Sequence, residues 1–193
     1  MKRILIITGI WTVLMLAGSQ ASLGQMKRQL SLAAINESIA FPFTSYGEFH
    51  PGFELGVSII SREKEHSIRQ VNAYAGWFLH QYIENGFFLR GEYSYKLKLG
   101  EALTVGIYGG AGYLHTFYPG TLYQIDEVTG EINSVRQFGR PRIMLSTGIQ
   151  ISYRSPVGIE PFLKQEFAVE TPFANGIPVM PHSFLKLGIN VNL

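Results

Sequence analysis

Cysteine is absent from all 193 residues. Its absence excludes disulfides, thiolate metal sites and a cysteine nucleophile, and removes the residue through which a lipid would anchor a mature N-terminus. Charge is scarce at 16% of residues, against about 25% in a typical soluble chain. Beyond residue 20 no apolar run reaches the roughly 20 residues that a membrane-spanning helix needs. Net charge is small as well. The formal value is +2, and removing Lys2 and Arg3 with a cleavable leader leaves 14 of the 16 basic residues against 14 acidic ones. A balance near zero gives no case for nucleic acid or an acidic partner. Neither a phosphate-binding glycine loop nor a metalloprotease helix is present.

What the chain has in quantity is apolar residues, at 46%, and aromatic rings, at 13%. A chain of this kind enters lipid only as a closed sheet, because without a spanning helix nothing else satisfies every backbone group there. The N-terminal end reads as an export signal. Met1–Arg3 is basic, Ile4–Ala17 is apolar apart from Thr8, Gly9 and Thr12, and Gly18–Gly24 is small and polar. Cleavage after Ala21 or after Gly24 fits this layout. The second is preferred, which makes residues 1–24 a signal peptide and residues 25–193 one mature domain.

The other end organises the rest. From Phe184 onward, Leu185, Leu187, Ile189, Val191 and Leu193 alternate with Lys186, Gly188, Asn190 and Asn192. Strict two-residue alternation specifies a strand with one apolar and one polar face. Seven more strands are expected before it: residues 27–37, 53–62, 67–79, 87–98, 102–115, 143–153 and 159–170. The strand at 87–98 sets Phe87, Leu89, Tyr93, Tyr95 and Leu97 opposite Arg90, Glu92, Ser94, Lys96 and Lys98. Four charges on one face and rings on the other suit a barrel wall around a polar interior. The turns at Glu63–Glu65, Gly100–Glu101 and Arg154–Gly158 are short. Those at Phe41–Pro51, Thr116–Gly139 and Thr171–Pro181 are long, and the second contains a hairpin-like Val128-Thr129-Gly130-Glu131. Trp77, Phe78, Tyr82, Phe87, Phe88, Tyr113, Phe117 and Tyr118 gather near strand ends, as an interfacial girdle requires.

An even strand count, short turns on the terminal side and long loops opposite give the predicted fold: all-β, an eight-stranded antiparallel up-and-down transmembrane barrel. The chain resembles small eight-stranded bacterial outer-membrane proteins, particularly those of Bacteroidota-type bacteria. In that group the last strand carries an assembly signal, matched here by Lys186, Gly188, Val191 and Leu193, with leucine in place of the usual terminal aromatic. The resemblance implies outer-membrane lipid and lipopolysaccharide as surroundings and the barrel assembly machinery as a partner. A further protein partner would meet the outer loops. The soluble competitor is a periplasmic ligand-binding barrel with apolar residues inside.

Three constellations are candidates for chemistry. Strand parity turns Arg90, Glu92, Lys96, Glu160, Lys164 and Glu166 inward, where opposite charges would fill the lumen of a barrel too narrow for a diffusion pore. A proton or ion path through Glu160, Lys164 and Glu166 is the sharper alternative. His50, His80 and His182 fall near one rim on the inward face, with Glu54 and Glu170, as a divalent metal site would require. Finally, some small outer-membrane barrels are lipid A deacylases, with a lipid-facing histidine two residues before a serine. His115 has the right face, but Phe117 stands two residues on and Thr116 points inward, so the activated nucleophile is missing. No catalytic role and no cofactor are expected.

Overall fold

A computed structural model describes residues 28–41, 48–125, 130–135, 138–173 and 176–193; the predicted leader, residues 1–24, lies outside them. The described residues form ten strands: β1 (Gln29–Ser38), β2 (His50–Glu63), β3 (Ser67–Phe78), β4 (Asn85–Leu99), β5 (Leu103–Phe117), β6 (Leu122–Ile125), β7 (Ile132–Val135), β8 (Arg140–Tyr153), β9 (Ile159–Thr171) and β10 (Met180–Asn192). Eight of them close one antiparallel barrel in the order β1-β10-β9-β8-β5-β4-β3-β2. The other two, β6 and β7, pair as a hairpin between β5 and β8. Closure runs from Gln29 opposite Asn192 to Ser38 opposite Ser183.

Tight turns make this connectivity possible on the terminal side. Gly100 and Gly158 adopt φ of 71° and 81°, a left-handed conformation that costs glycine little. At the β2–β3 turn the Lys64 amide donates to the Ser67 carbonyl at 2.7 Å.

Alternation gives the wall its two faces. Leu30, Leu55, Leu89, Ile107, Leu145, Leu163 and Leu187 point outward, with Ile107 and Leu187 exposed to 63% and 66%. The intervening side chains are buried and mostly polar, among them Glu54, Arg90, Glu92, Lys164, Glu166 and Lys186. A soluble ligand-binding barrel would show the reverse. An apolar outer band around a polar lumen is the transmembrane arrangement.

Two details depart from the sequence reading. Phe78 and Phe88 are fully buried inside the barrel and do not belong to the girdle. They share parity with Asn72, Tyr74 and Arg90, so the pleat turns them inward. In β2 a bulge between Ser58 and Ile60 shifts the register against β3, so Ile59 and Ile60 both stay exposed. An extra residue in one strand breaks strict alternation and bends the wall. In line with the sequence reading, the long β5–β8 connection holds a hairpin, β6–β7, in register from Leu122 opposite Val135 to Ile125 opposite Ile132; of the hairpin-like Val128-Thr129-Gly130-Glu131 between these strands, the first two residues lie outside the described ones.

Candidate functional site

The lumen is stacked in layers, each supplied by inward residues of several strands. At the terminal end Lys96 Nζ lies 3.6 Å from Glu160. Glu160 also accepts from Ser152 Oγ at 2.5 Å and from Gln29 Nε2 at 3.3 Å. A vestibule of about 430 Å³, lined by Gln29, Gln70, Lys96 and Glu160, opens below this layer. Above it, a void of about 10 Å³ between Ser58, Asn72 and Asn190 has room for at most one water.

The next layer is centred on Arg90. Its guanidinium donates to Glu54 at 2.7 Å and to Glu166 at 2.5 Å, with Glu92 3.5 Å away. Lys186 Nζ bridges the same two carboxylates, at 2.8 Å from Glu54 and 2.9 Å from Glu166. Lys164 donates to Glu92 at 3.2 Å and to the Tyr74 hydroxyl at 3.1 Å. Three cations and three carboxylates thus neutralise one another out of contact with water, the condition under which buried charge is tolerated. Small residues make room for them: a Cβ on Gly112 would stand 2.6 Å from Arg90 Cα.

Of the six inward residues predicted from parity, Arg90, Glu92, Lys164 and Glu166 meet in this layer, while Lys96 and Glu160 form the separate pair beneath. Sequence reasoning missed two members. Glu54 was assigned to the rim, yet it engages Arg90 and Lys186 here. Lys186 was read only as part of the terminal pattern. Inward parity on β2 and β10 was the signal for both. The other three residues of that pattern sit on the closing strand: Gly188 opposite Ala33 and Val191 opposite Leu30, with the Leu193 amide donating to the Arg28 carbonyl at 2.9 Å.

An apolar layer caps the charges. Ile35, Phe78, Phe88, Leu114, Met144, Ala168 and Phe184 form one cluster across the lumen. Phe184 packs edge-on to Phe78, with ring centroids 5.5 Å apart.

Beyond this floor lies the outer rim, which gathers Glu37, His50, His80, Glu84, Arg142, Glu170 and His182, all buried. Glu37 accepts from His182 Nδ1 at 2.9 Å. Arg142 donates to Glu170 at 2.6 Å and lies 3.6 Å from Glu84. The rings of His50 and His80 stack with centroids 3.8 Å apart. The three histidines predicted to share one metal therefore divide into two groups, Glu37 with His50 and His80, and Glu84 and Glu170 with His182. Glu170 is at the rim as expected. Glu84 and Glu37 were not foreseen, because Glu84 lies in a connection, where parity does not apply. Burial, with the Glu170 carboxylate beside it, pushes the Glu84 carboxyl up to about 7; burial lowers His80 from the ordinary imidazole value.

His115 stands on the outer face. Its Nδ1 meets the Tyr113 hydroxyl at 2.6 Å and its Nε2 meets the Phe138 carbonyl at 2.8 Å. Since a carbonyl only accepts, Nε2 carries the proton and Nδ1 accepts from the tyrosine. Thr116 is buried inside the wall.

No protein-family model matches the chain, and a search of curated protein sequences finds no match. Among solved structures, Neisserial surface protein A (NspA) is similar at a TM-score of 0.53 and 10% identity, over 88% of this chain and 98% of that chain. The outer membrane enzyme PagL is similar at 0.47 and 10%, over 86% and 99%. Ail, the attachment invasion locus protein of Yersinia pestis, is similar at 0.43 and 11%, over 86% and 97%. At such identity the likeness to NspA is one of fold. The chain is an all-β, closed, eight-stranded antiparallel barrel matching those of small outer-membrane proteins.

Proposed function

We propose that this protein resides in a bacterial outer membrane and serves a binding or structural role there, through its outer loops and without catalysis. The observation that carries this reading is the filled lumen beneath an exposed, partly apolar outer surface. Charged and aromatic layers occupy the interior where a pore would run. Tyr123, Ile125 and Ile132 on the β6–β7 hairpin, and Phe138 beside it, are exposed to between 63% and 83%. Rings and aliphatics held in water on a rigid scaffold are what a contact surface offers. Envelope support, adhesion, or an accessory place in a membrane complex all fit it. Here both nitrogens of His115 are engaged, by Tyr113 and Phe138, which favours the non-catalytic role over lipid modification.

The test is site-specific photocrosslinking in intact cells. A photoreactive residue at Tyr123 or Ile132 should give a discrete protein adduct, while one at Ile107 on the wall should give none. Absence of adducts from the hairpin, together with a lipid A mass change on deleting the gene, would sink this reading in favour of the enzyme.

A further inference from the structure

Among the described residues the buried rim holds three carboxyl groups, Glu37, Glu84 and Glu170, and one guanidinium, Arg142. Arg142 reaches Glu170 and Glu84, and Glu37 is left to His182. All are buried. Buried carboxyl groups in excess of their cations take up protons or a further cation, and a metal ion is a species that two of them can share.

The hydrogen bonds show where such an ion would sit. His182 directs Nδ1 to Glu37 Oε1 at 2.9 Å. With that nitrogen donating, Nε2 of the neutral ring carries the lone pair. It faces Glu170 Oε2 at 3.8 Å and Glu84 Oε1 at 3.9 Å, beyond hydrogen-bond reach. Arg142 meanwhile holds the opposite oxygens, Glu170 Oε1 at 2.6 Å and Glu84 Oε2 at 3.6 Å. The three inward atoms, Nε2 and the two carboxylate oxygens, have no hydrogen-bond partner although buried, and all lie within 4.8 Å of one another. Ligands bound about 2.0–2.2 Å from a shared tetrahedral ion stand roughly 3.4 Å apart, a contraction of a few tenths of an ångström for the two pairs that involve His182.

We propose that Glu84, Glu170 and His182 bind one divalent first-row transition-metal ion at the outer mouth of the barrel. One imidazole and two carboxylates are a donor set for such ions. Glu37, bonded to the far nitrogen of His182, is the positioning residue that fixes ring and tautomer, as outer carboxylates do in metal–histidine sites. The rings of Phe78 and Phe184 lie 5.6 Å and 5.8 Å from that of His182 and wall the site from below. A cleft of about 290 Å³, lined by Tyr82, Ile83, Thr116 and Arg140, leads to Glu84 from outside. Three protein ligands leave the fourth position open on that side. The neighbouring group of Glu37, His50 and His80 is less ready. Its two rings stack, and stacked rings cannot aim in-plane lone pairs at one ion until one of them turns.

The experiment uses the mature barrel without a polyhistidine tag, extracted in detergent, stripped with a chelator and desalted. Zn²⁺ is titrated by calorimetry and Co²⁺ by visible absorption, and every variant is first checked for the gel-mobility shift of a closed barrel. One Zn²⁺ per chain is expected, with Co²⁺ d–d bands. Glu84→Gln, isosteric and outside the strands, should abolish saturable binding, as should His182→Ala where it folds. Glu37→Gln should weaken binding about 10- to 100-fold, and the His50→Ala/His80→Ala pair should leave it unchanged. Three results overturn the assignment. They are no saturable Zn²⁺ binding, in which case protons supply the missing charge; binding that survives Glu84→Gln; and binding lost in the His50/His80 variant while Glu84→Gln retains it.

Discussion

Arg90 shows what a single residue does in this lumen. Its guanidinium reaches Glu54, Glu166 and Glu92, and it lies over the Tyr74 ring, 5.1 Å from its centroid. Removing it strands three buried carboxylates that Lys186 and Lys164 cannot balance alone. Breaking a buried pair from one side costs about 3–5 kcal/mol, so Arg90→Met should lower the urea midpoint of the detergent-folded barrel by that equivalent. Arg90→Met combined with Glu166→Gln should recover part of the loss, because fewer charges remain unpaired. A double variant no better than the single one would mean that Arg90 acts through packing. On the outer face the accounting reverses. Leu163 sits near mid-height of β9, opposite Leu187 and Ile151. Leu163→Arg should destabilise the barrel in bilayers by about 2–4 kcal/mol, read from denaturant titration in liposomes. A neutral outcome would point to a water-facing wall.

At the scale of elements, the β6–β7 hairpin and the barrel are separable. The barrel ladder is continuous without the hairpin, since β5 pairs directly with β8 from Leu103 opposite Tyr153 to Thr116 opposite Arg140. Replacing residues 122–135 with a short glycine-serine linker should therefore leave the gel-mobility shift intact while removing the photocrosslinks proposed for Tyr123 and Ile132. Loss of the shift would instead make the hairpin part of the folding unit. Strand β9 carries an exception to the wall pattern: Gln165 is buried, although its neighbours in parity, Leu163 and Phe167, mark the outer face. Its Nε2 donates to Ser183 Oγ on β10 at 2.9 Å. The polar groups thus satisfy one another beside the stacked rings of Phe41 and Phe167, which is how a polar residue is accommodated on an apolar face.

For the molecule as a whole, the order of the layers matters more than any one of them. A path along the axis would meet the Lys96–Glu160 pair, the Arg90 layer, the ring cluster and the rim in turn. Eight strands enclose little more than their own side chains. In planar bilayers the protein should therefore show no steady conductance. Phe184→Ala, which removes a ring from the apolar floor, should not open one either, because the charged layer beneath stays closed. Stable channel events from the unaltered chain would contradict a filled lumen.

Much of this was legible in the sequence. Period-two alternation in residues 87–98 and 184–193 settled strand identity and the two faces, and turn length separated the terminal side from the outer side. Parity put Arg90, Glu92, Lys164 and Glu166 on the polar face, and the terminal pattern together with the charges sharing that face assigned it to the lumen, since a pleated strand leaves a side chain no third direction. What parity cannot supply is height. Strand stagger lifts Glu37 to the level of His182 and sets Glu54 beside Arg90 and Lys186, and that stagger is a property of closure, which no single strand contains. Phe78 and Phe88 resemble girdle residues by their place near strand ends, but parity with Tyr74 and Arg90 turns them inward. The three rim histidines were visible as a set, but their division into two groups, and the place of Glu84 from a connecting turn, depended on side chains converging from strands far apart in sequence. Local pattern determined the wall of this protein. The tertiary structure decided which charges meet, because that depends on distances across the lumen that only the closed barrel defines.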